Sequence, residues 1–292
     1  MSAGGSAVAL SCVVLTMGDR PAELDRALRS VLEQDGDPAE VVVVGNGVDV
    51  PGLPPQVRFL RLPENAGIPG GRNAGAAEAS GDLILFLDDD GWLPELATLE
   101  HVRAEFLARP RLGILSMRIV DPETGESLRR HVPRLRTADP LRSSLVTTFL
   151  GGASVVRRRV LEQCGPLPAE FFFAHEETDL AWRALDGGWD IRYDAQAVMC
   201  HPATSPARHD LYFRLNARNR VWLARRNLPL PLVPVYLLTW CLLTVVRNRD
   251  AHALRTWWRG FVEGWRTDPG RRRPMSWSTV LRMTRLGRPP VI

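Results

Sequence analysis

The stretch Leu83-Ile84-Leu85-Phe86-Leu87-Asp88-Asp89-Asp90 constrains this chain more than any other. Five consecutive apolar residues describe a strand buried on both faces, as in a parallel sheet covered by helices. Three carboxylates follow at its carboxyl end, the edge where open α/β sheets bind their ligands. Because side chains alternate along a strand, Asp88 and Asp90 are expected on one side and Asp89 on the other. Two carboxylates aimed at one point repel unless something cationic lies between them, and a hard divalent ion holding a diphosphate is the usual solution. A solvated acidic turn is the plainer alternative, since acidic residues are common in turns.

The flanking pattern decides how that strand is housed. Residues 8–15 read as a first strand, and Pro21 opens a helix whose apolar stripe is Leu24, Ala27, Leu28, Val31 and Leu32. Residues 41–44 form a second strand, and strand, helix, strand begins a right-handed parallel α/β sheet. Gly45-Asn46-Gly47 after it is no dinucleotide fingerprint, because the third glycine is misplaced and Pro51, Pro54 and Pro55 stand where a helix should start. It reads as a turn beside a ligand edge. A third strand, 57–62, leads into the glycine-rich segment 65–75, which opens a small-residue helix. Glycines at a helix start let backbone N–H groups approach an anion, and Arg72 adds a fork suited to phosphate oxygens. Tight helix packing is the alternative use of the same glycines.

Beyond Asp90, Pro94 precedes a helix with Leu96, Leu99, Val102 and Phe106 inward, and residues 113–120 form another strand. The polar, arginine-rich segment 129–148 is expected to be a mobile lid or acceptor loop. Residues 150–156 resume the sheet, with Gly151 and Gly152 where a ligand or backbone could come close. The run Phe171-Phe172-Phe173-Ala174-His175 then meets Glu176, Glu177 and Asp179 at a helix start, where the dipole alone favours acids. Asp179 and Arg183 are spaced to pair on that helix, which leaves Glu176 or Glu177 as the carboxylate available for chemistry. Two short strands, 191–193 and 197–200, lead to His201. An imidazole beside carboxylates makes a reasonable metal set, although a lone histidine is more often structural.

Composition bounds the rest. A chain of 292 residues, 45% hydrophobic and 24% charged, can bury one large domain plus a smaller appendage. The four cysteines are scattered without a Cys-x-x-Cys pair, which fits a reducing cytosol, and the N-terminus lacks the basic region of a secretion signal. We therefore expect a domain spanning 1–205 and a helical, basic extension spanning 206–292. In that extension Tyr212, Leu215, Trp222 and Leu223 share a helical face while Arg214, Arg218, Arg220, Arg225 and Arg226 cover the remainder. Residues 228–246 are almost wholly apolar, but prolines break their start, and the clean run 235–246 is shorter than a bilayer needs. Flanked by arginines, that run suits a helix lying in a membrane interface, with packing on the domain as the alternative. The surplus of positive charge after residue 247 suits an anionic lipid surface, and no nucleic-acid partner is expected.

The order of these pieces resembles the family 2 glycosyltransferases with the GT-A fold over roughly residues 8–201. The carriers are Thr16 to Gln34, Asn65 to Gly75, Gly81-Asp82 to Asp90, Gly151-Gly152, and Glu176 to Arg183 followed by His201. The resemblance implies a mostly parallel Rossmann-like sheet with helices on both faces. It implies an inverting transfer of a sugar from a nucleotide-sugar donor to a glycan or lipid-linked acceptor, of the rhamnosyl-, galactofuranosyl- or N-acetylglucosaminyl-transferase kind. Asp88 and Asp90 match the family's Asp-x-Asp, which holds Mn²⁺ or Mg²⁺, and His201 matches a histidine that often completes that site. Glu177 matches the general base, with Glu176 as second choice. Thr16, Arg20, Asn46, Asn65, Gly67, Arg72, Asn73 and Asp89 would line the nucleotide-sugar pocket, and Gly151, Gly152 and Trp182 the acceptor side. Where many relatives carry an acid at the Gly45-Asn46 position, this chain has none, which leaves the nucleotide open. Such an enzyme would work in the cytoplasm, peripherally on the inner face of the membrane. A sugar nucleotidyltransferase and a non-catalytic, membrane-tethered binding module are the alternatives. The first is disfavoured because no glycine-rich loop with a basic residue follows the first strand.

Overall fold

A computed structural model describes residues 8–134, 139–202 and 210–292. Its centre is an eight-stranded sheet in the order β3-β2-β1-β4-β7-β5-β8-β6. The strands are β1 (Leu10–Thr16), β2 (Glu40–Gly45), β3 (Val57–Arg61), β4 (Leu83–Asp88), β5 (Leu112–Val120), β6 (Ser144–Leu145), β7 (Ala153–Arg157) and β8 (Asp190–Cys200). The half β3-β2-β1-β4 is parallel throughout, and β5 pairs parallel with β8. Helices α1 (Pro21–Leu32), α2 (Gly67–Glu78), α3 (Thr98–Ala108), α4 (Arg158–Cys164) and α5 (Glu176–Asp186) connect and cover it. Four C-terminal helices follow, α6 (Asp210–Asn227), α7 (Leu232–Arg247), α8 (Ala251–Arg266) and α9 (Trp277–Arg285).

Alternation along β4 divides the core. Leu83, Leu85 and Leu87 enter the layer shared with α1 and α3, while Ile84 and Phe86 enter the opposite layer with α5 and α6. All five are buried, as a strand covered on both faces requires. Asp88, next in register, therefore leaves the sheet on the α2–α5 side. The second layer also takes in Val221, Trp222, Leu223, Leu228, Tyr236 and Met283, so the C-terminal helices share a core with the sheet.

The strand expected at residues 150–156 is β7, which runs antiparallel between β4 and β5 and so brings its first residues, preceded by Gly151 and Gly152, to the carboxyl end of β4. Other expectations are corrected. Leu96 lies before α3 and is exposed, because the chain after Pro94 first makes a turn and the helix starts only at Thr98. The two short strands expected before His201 are one continuous β8, with a bulge opposite Met117–Arg118 absorbing the irregularity. The segment expected as a lid is anchored in part: β6 pairs with β8, and Tyr193 donates to the Pro140 carbonyl at 2.9 Å. Its residues 135–138, and the boundary expected at 205/206, lie outside the described residues, as does the N-terminal segment 1–7.

Candidate active site

β4 ends at Asp88, and the chain turns at once, with the Gly91 amide donating to the Asp88 carbonyl at 3.0 Å. The next segment pairs back onto the sheet: Trp92 and Cys200 exchange backbone hydrogen bonds of 3.0 and 2.8 Å. That bridge carries the end of β8, and with it His201, to the acidic turn over more than a hundred residues of chain. His201 Nε2 lies 3.0 Å from Asp90 Oδ1, and its Nδ1 faces the Pro202 carbonyl at 2.6 Å. Ligand atoms of Asp88, Asp90 and His201 lie within 4.8 Å of one another.

Cations already answer these charges. Arg20 pairs with Asp90 and lies 3.8 Å from Asp89. Burial raises the Asp89 carboxyl to about 6, a hydrogen bond from Thr16 opposing and the charge of Asp90 adding to the rise. Burial would lift Asp90 too, but the hydrogen bond and charge of His201, with Arg20, hold it below the usual range. For His201, burial pushes down while Asp90 and Asp88 push up, and the upward pull wins. Two carboxylates and an imidazole converging from separate elements fit a divalent cation that accepts oxygen and nitrogen donors. A second cluster, His101, Glu105 and Asp194, holds its own cation instead, because Arg192 Nε lies 3.0 Å from Glu105 and 3.7 Å from Asp194.

The acidic turn lines a cleft of about 550 Å³ whose other walls include Thr16, Arg20, Asn46, Asn65, Gly67 and Arg72, with Phe172, Phe173 and Tyr212 opposite. Asn46 and Asn65 fix one another at 2.9 Å, and each also accepts a backbone N–H at the start of α2. The helix-start amides expected to face an anion are thereby occupied: Gly67 donates to Asn65 Oδ1 and Ile68 to the Phe172 carbonyl, both at 2.9 Å. The glycines serve packing instead. Gly67 has φ +72°, and a Cβ there would strike Phe172; Cβ atoms at Gly71 and Gly75 would strike Leu15 and Val13 of β1. Asn73 is likewise spent away from the cleft, exchanging hydrogen bonds of 2.7 and 3.0 Å with the Leu167 backbone.

Arg72 stands between the cleft and α5. Its Nη2 donates to Asp88 Oδ1 at 2.9 Å, and Nη1, buried with no hydrogen-bond partner, lies 3.8 Å from Glu177 Oε1. Neither glutamate belongs to the cleft wall. Glu176 is only 2% exposed and its Oε2 has no partner; burial, then the charge of Glu177, pushes it up to about 8. Burial also raises Glu177, opposed by Arg72 and by the N–H of Gly151. Two adjacent carboxyls in one dry place share a single negative charge, and the arginine beside Glu177 puts it there. Gly151 and Gly152 are needed where they stand: a Cβ would meet Glu177 and Arg72 at the first, and Asp88 at the second. Trp182 is elsewhere, packed edge-on against Tyr236 in a separate cavity, so it does not join the residues around Asp88.

The loop that delivers the glutamates is strained. Phe172, Ala174 and His175 have φ of 62°, 68° and 71°, a region that L residues occupy at a cost of about 1–3 kcal/mol each unless held. They are held from α6. The side-chain amide of Asn219, fully buried, reaches the carbonyls of Phe171, Phe173 and Ala174 at 2.9, 2.7 and 2.9 Å. Arg218 donates to Glu170 and Phe171. Sequence reasoning missed both, although an asparagine between Leu215 and Trp222 on an apolar helical face was a legible signal. Asp179 and Arg183 do pair, at 2.8 Å.

Comparison with known proteins agrees with this architecture. The chain is 28% identical over 189 residues to a pre-mycofactocin glycosyltransferase of Mycobacterium tuberculosis, a match covering 60% of this chain but 38% of that one. It is 29% identical over 174 residues to the uncharacterized glycosyltransferase YwdF of Bacillus subtilis, covering 55% and 62%. The chain thus spans well under half the length of the mycobacterial relative. Among solved structures, the mannosyltransferase PcManGT of Pyrobaculum calidifontis, in complex with GDP-Man and Mn²⁺, aligns over 96% of this chain and 80% of its own with TM-score 0.58 at 18% identity. Residues 1–349 of Staphylococcus aureus TarS align over 74% of this chain and 65% of that fragment with TM-score 0.53, also at 18% identity. These likenesses establish the fold. Residues 11–165 match the family model described as Glycosyl transferase family 2, more than half of the chain, and to that family this protein belongs.

Proposed function

We propose that this enzyme transfers a sugar from a nucleotide-sugar donor to a hydroxyl of a lipid-linked or polysaccharide acceptor, with inversion and with the help of Mn²⁺ or Mg²⁺. The observation that carries the reading is the approach of Asp88, Asp90 and His201 ligand atoms to within 4.8 Å at the mouth of a cleft on the carboxyl edge of the sheet. When bound there, a divalent cation would offset the charge of a departing diphosphate as a Lewis acid. PcManGT was solved with GDP-Man and Mn²⁺, which supports the same ligand class here.

The chain's own residues supply the remainder. Arg20 and Arg72 bring positive charge to the donor's phosphates, and Asn46 and Asn65 keep the facing wall rigid. Glu177, the ionised member of its pair, takes the proton from the attacking acceptor hydroxyl, which is general-base work for a carboxylate. Direct attack assisted by one base inverts the anomeric carbon. Glu176, protonated beside it, keeps the charge on Glu177, and Arg72 ties that base to Asp88 on the donor side.

Membrane contact is part of the same reading. Among the described residues no helix is long and apolar enough to cross a membrane. Yet α7 exposes Val235, Leu238, Leu242 and Val245 on one face between Arg226 and Arg247, the pattern of a helix resting on lipid at the cytoplasmic surface. The test is a panel of nucleotide sugars screened by thermal shift with and without Mn²⁺, followed by turnover. Asp90→Ala should abolish metal-dependent stabilisation, and Glu177→Gln should retain it while losing transfer. Turnover near the wild-type rate in both variants would end the proposal.

A further inference from the structure

A second cavity, of about 80 Å³, shares no lining residue with the cleft and is built from α5, α6, α7, the C-terminal segment and residues 147–148. Its walls are rich in donors. Arg220 and Arg288 both line it, and among the described residues neither forms an ion pair with an aspartate or glutamate side chain. Arg220 lies 3.4 Å above the Trp240 ring and reaches only Tyr236 Oη at 3.3 Å and Asn216 Oδ1 at 3.2 Å. Arg288 donates to the main-chain oxygen of Ile292 at 3.4 Å. Burial weighs most against the charge of both, with Arg247 adding to it at Arg220 and Arg220 adding to it at Arg288, while Tyr236 opposes.

Three further residues of the same wall carry a polar atom buried without a hydrogen-bond partner: Thr147 Oγ1, His175 Nε2 and Trp240 Nε1. Thr147 is only 2% exposed. A buried donor left unmade costs about 1–3 kcal/mol, and a buried unpaired charge costs more. Two arginines lining one small space without an aspartate or glutamate partner are complementary to an oxyanion, which guanidinium forks bind with bidentate geometry. The space holds several waters or one such group.

We infer that this cavity is an oxyanion site for a phosphate or carboxylate carried by the acceptor. The location carries the assignment to the acceptor, and that part rests on Glu177 being the base. His175 and Thr178 of the cavity wall flank Glu176 and Glu177 in the chain, and Thr147 and Thr148 stand just before Gly151, which touches Glu177. The donor cleft lies on the other side of Arg72. An acceptor whose charged group sits between Arg220 and Arg288 presents its neighbouring hydroxyl to the α5 side of the reacting centre, and a neutral analogue leaves the donors unpaired.

Binding of inorganic phosphate and of acetate is measured by calorimetry at low ionic strength. The measurements compare the wild type with Arg288→Gln, Arg220→Gln and Arg20→Gln, each with and without GDP or UDP plus Mn²⁺. The expected result is saturable binding of at least one anion, weakened tenfold or more in Arg288→Gln and Arg220→Gln. It should be unchanged in Arg20→Gln and undisturbed by the nucleotide; which anion binds gives the class of acceptor group. Arg288→Lys, which keeps the charge, should recover part of the affinity. No binding of either anion, binding lost only in Arg20→Gln, or competition with the nucleotide would each overturn the site. None of these readouts requires sugar transfer, so the cavity stands or falls separately from the base assignment.

Discussion

Substituting Glu176 by Gln separates the two adjacent glutamates by their thermodynamics. Glu176 is 2% exposed, Oε2 has no partner, and burial with the charge of Glu177 moves its pKa from 4.5 to about 8. In the unfolded chain it titrates at its ordinary value. Between about 4.5 and about 8 the folded protein therefore holds a proton that the unfolded chain has released. Stability falls as pH rises through that window, and the whole penalty is present above pH 8. At about 1.4 kcal/mol per pH unit the ceiling is about 5 kcal/mol; because the pair shares one charge, about half of it, roughly 2–3 kcal/mol, falls to Glu176 itself. Glutamine keeps the shape and cannot ionise. At about 2 °C per kcal/mol for a chain of this size, Glu176→Gln should melt about 5 °C above the wild type at pH 8.5 and equal it at pH 5. Thermal unfolding followed by circular dichroism across that range is the assay. Parallel pH profiles, or a variant less stable at pH 8.5, would refute the argument. Transfer should stay within about tenfold of wild type at pH 7, and its loss in this variant alone would move the base by one residue.

Three other outcomes follow from the same geometry. Asn219→Ala leaves three carbonyls of a strained loop without their donor, so stability should fall by about 2–3 kcal/mol. Its kcat should drop tenfold or more while the donor KM stays within twofold, and an unchanged kcat would remove the positioning role. Gly152→Ala puts a methyl against Asp88 at a backbone position any residue can adopt, so metal-dependent stabilisation by a nucleotide should vanish without loss of the native circular-dichroism spectrum. Leu238→Glu with Leu242→Glu charges the exposed face of α7, and binding to anionic lipid vesicles, read by co-sedimentation, should fall at least tenfold with the melting temperature unchanged.

The legible parts of this protein were those fixed by local pattern. Five apolar residues ending in Asp88, Asp89 and Asp90 announce a buried strand and a ligand edge, and Pro21 announces where α1 begins. What stayed hidden was set by pairing between distant segments. Nothing local distinguishes a parallel from an antiparallel β7, yet that choice brings Gly152 against Asp88. The glycines of 65–75 satisfy either an anion or a close helix, and only contact with Leu15 and Val13 decides. Arginines of α6 look like a solvated face, whereas Arg218 caps the carbonyls of Glu170 and Phe171, Arg225 those of Gly264 and Thr267. Trp182 lies on the wall of the second cavity against Tyr236 and not beside Asp88, a placement no local pattern gives, because an aromatic next to the glutamate loop fits either side of α5.

The hold of Asn219 on residues 171–174 has a consequence for the order in which the enzyme is made. A ribosome delivers β1 to β8, and with them Asp88 and Asp90, before α6 emerges. The nascent sheet can therefore close its acidic edge while the glutamate loop still lacks the amide that keeps it in its positive-φ turn. The cleft and the glutamate loop mature at different moments, the second only when a helix that follows the whole sheet in the chain has docked.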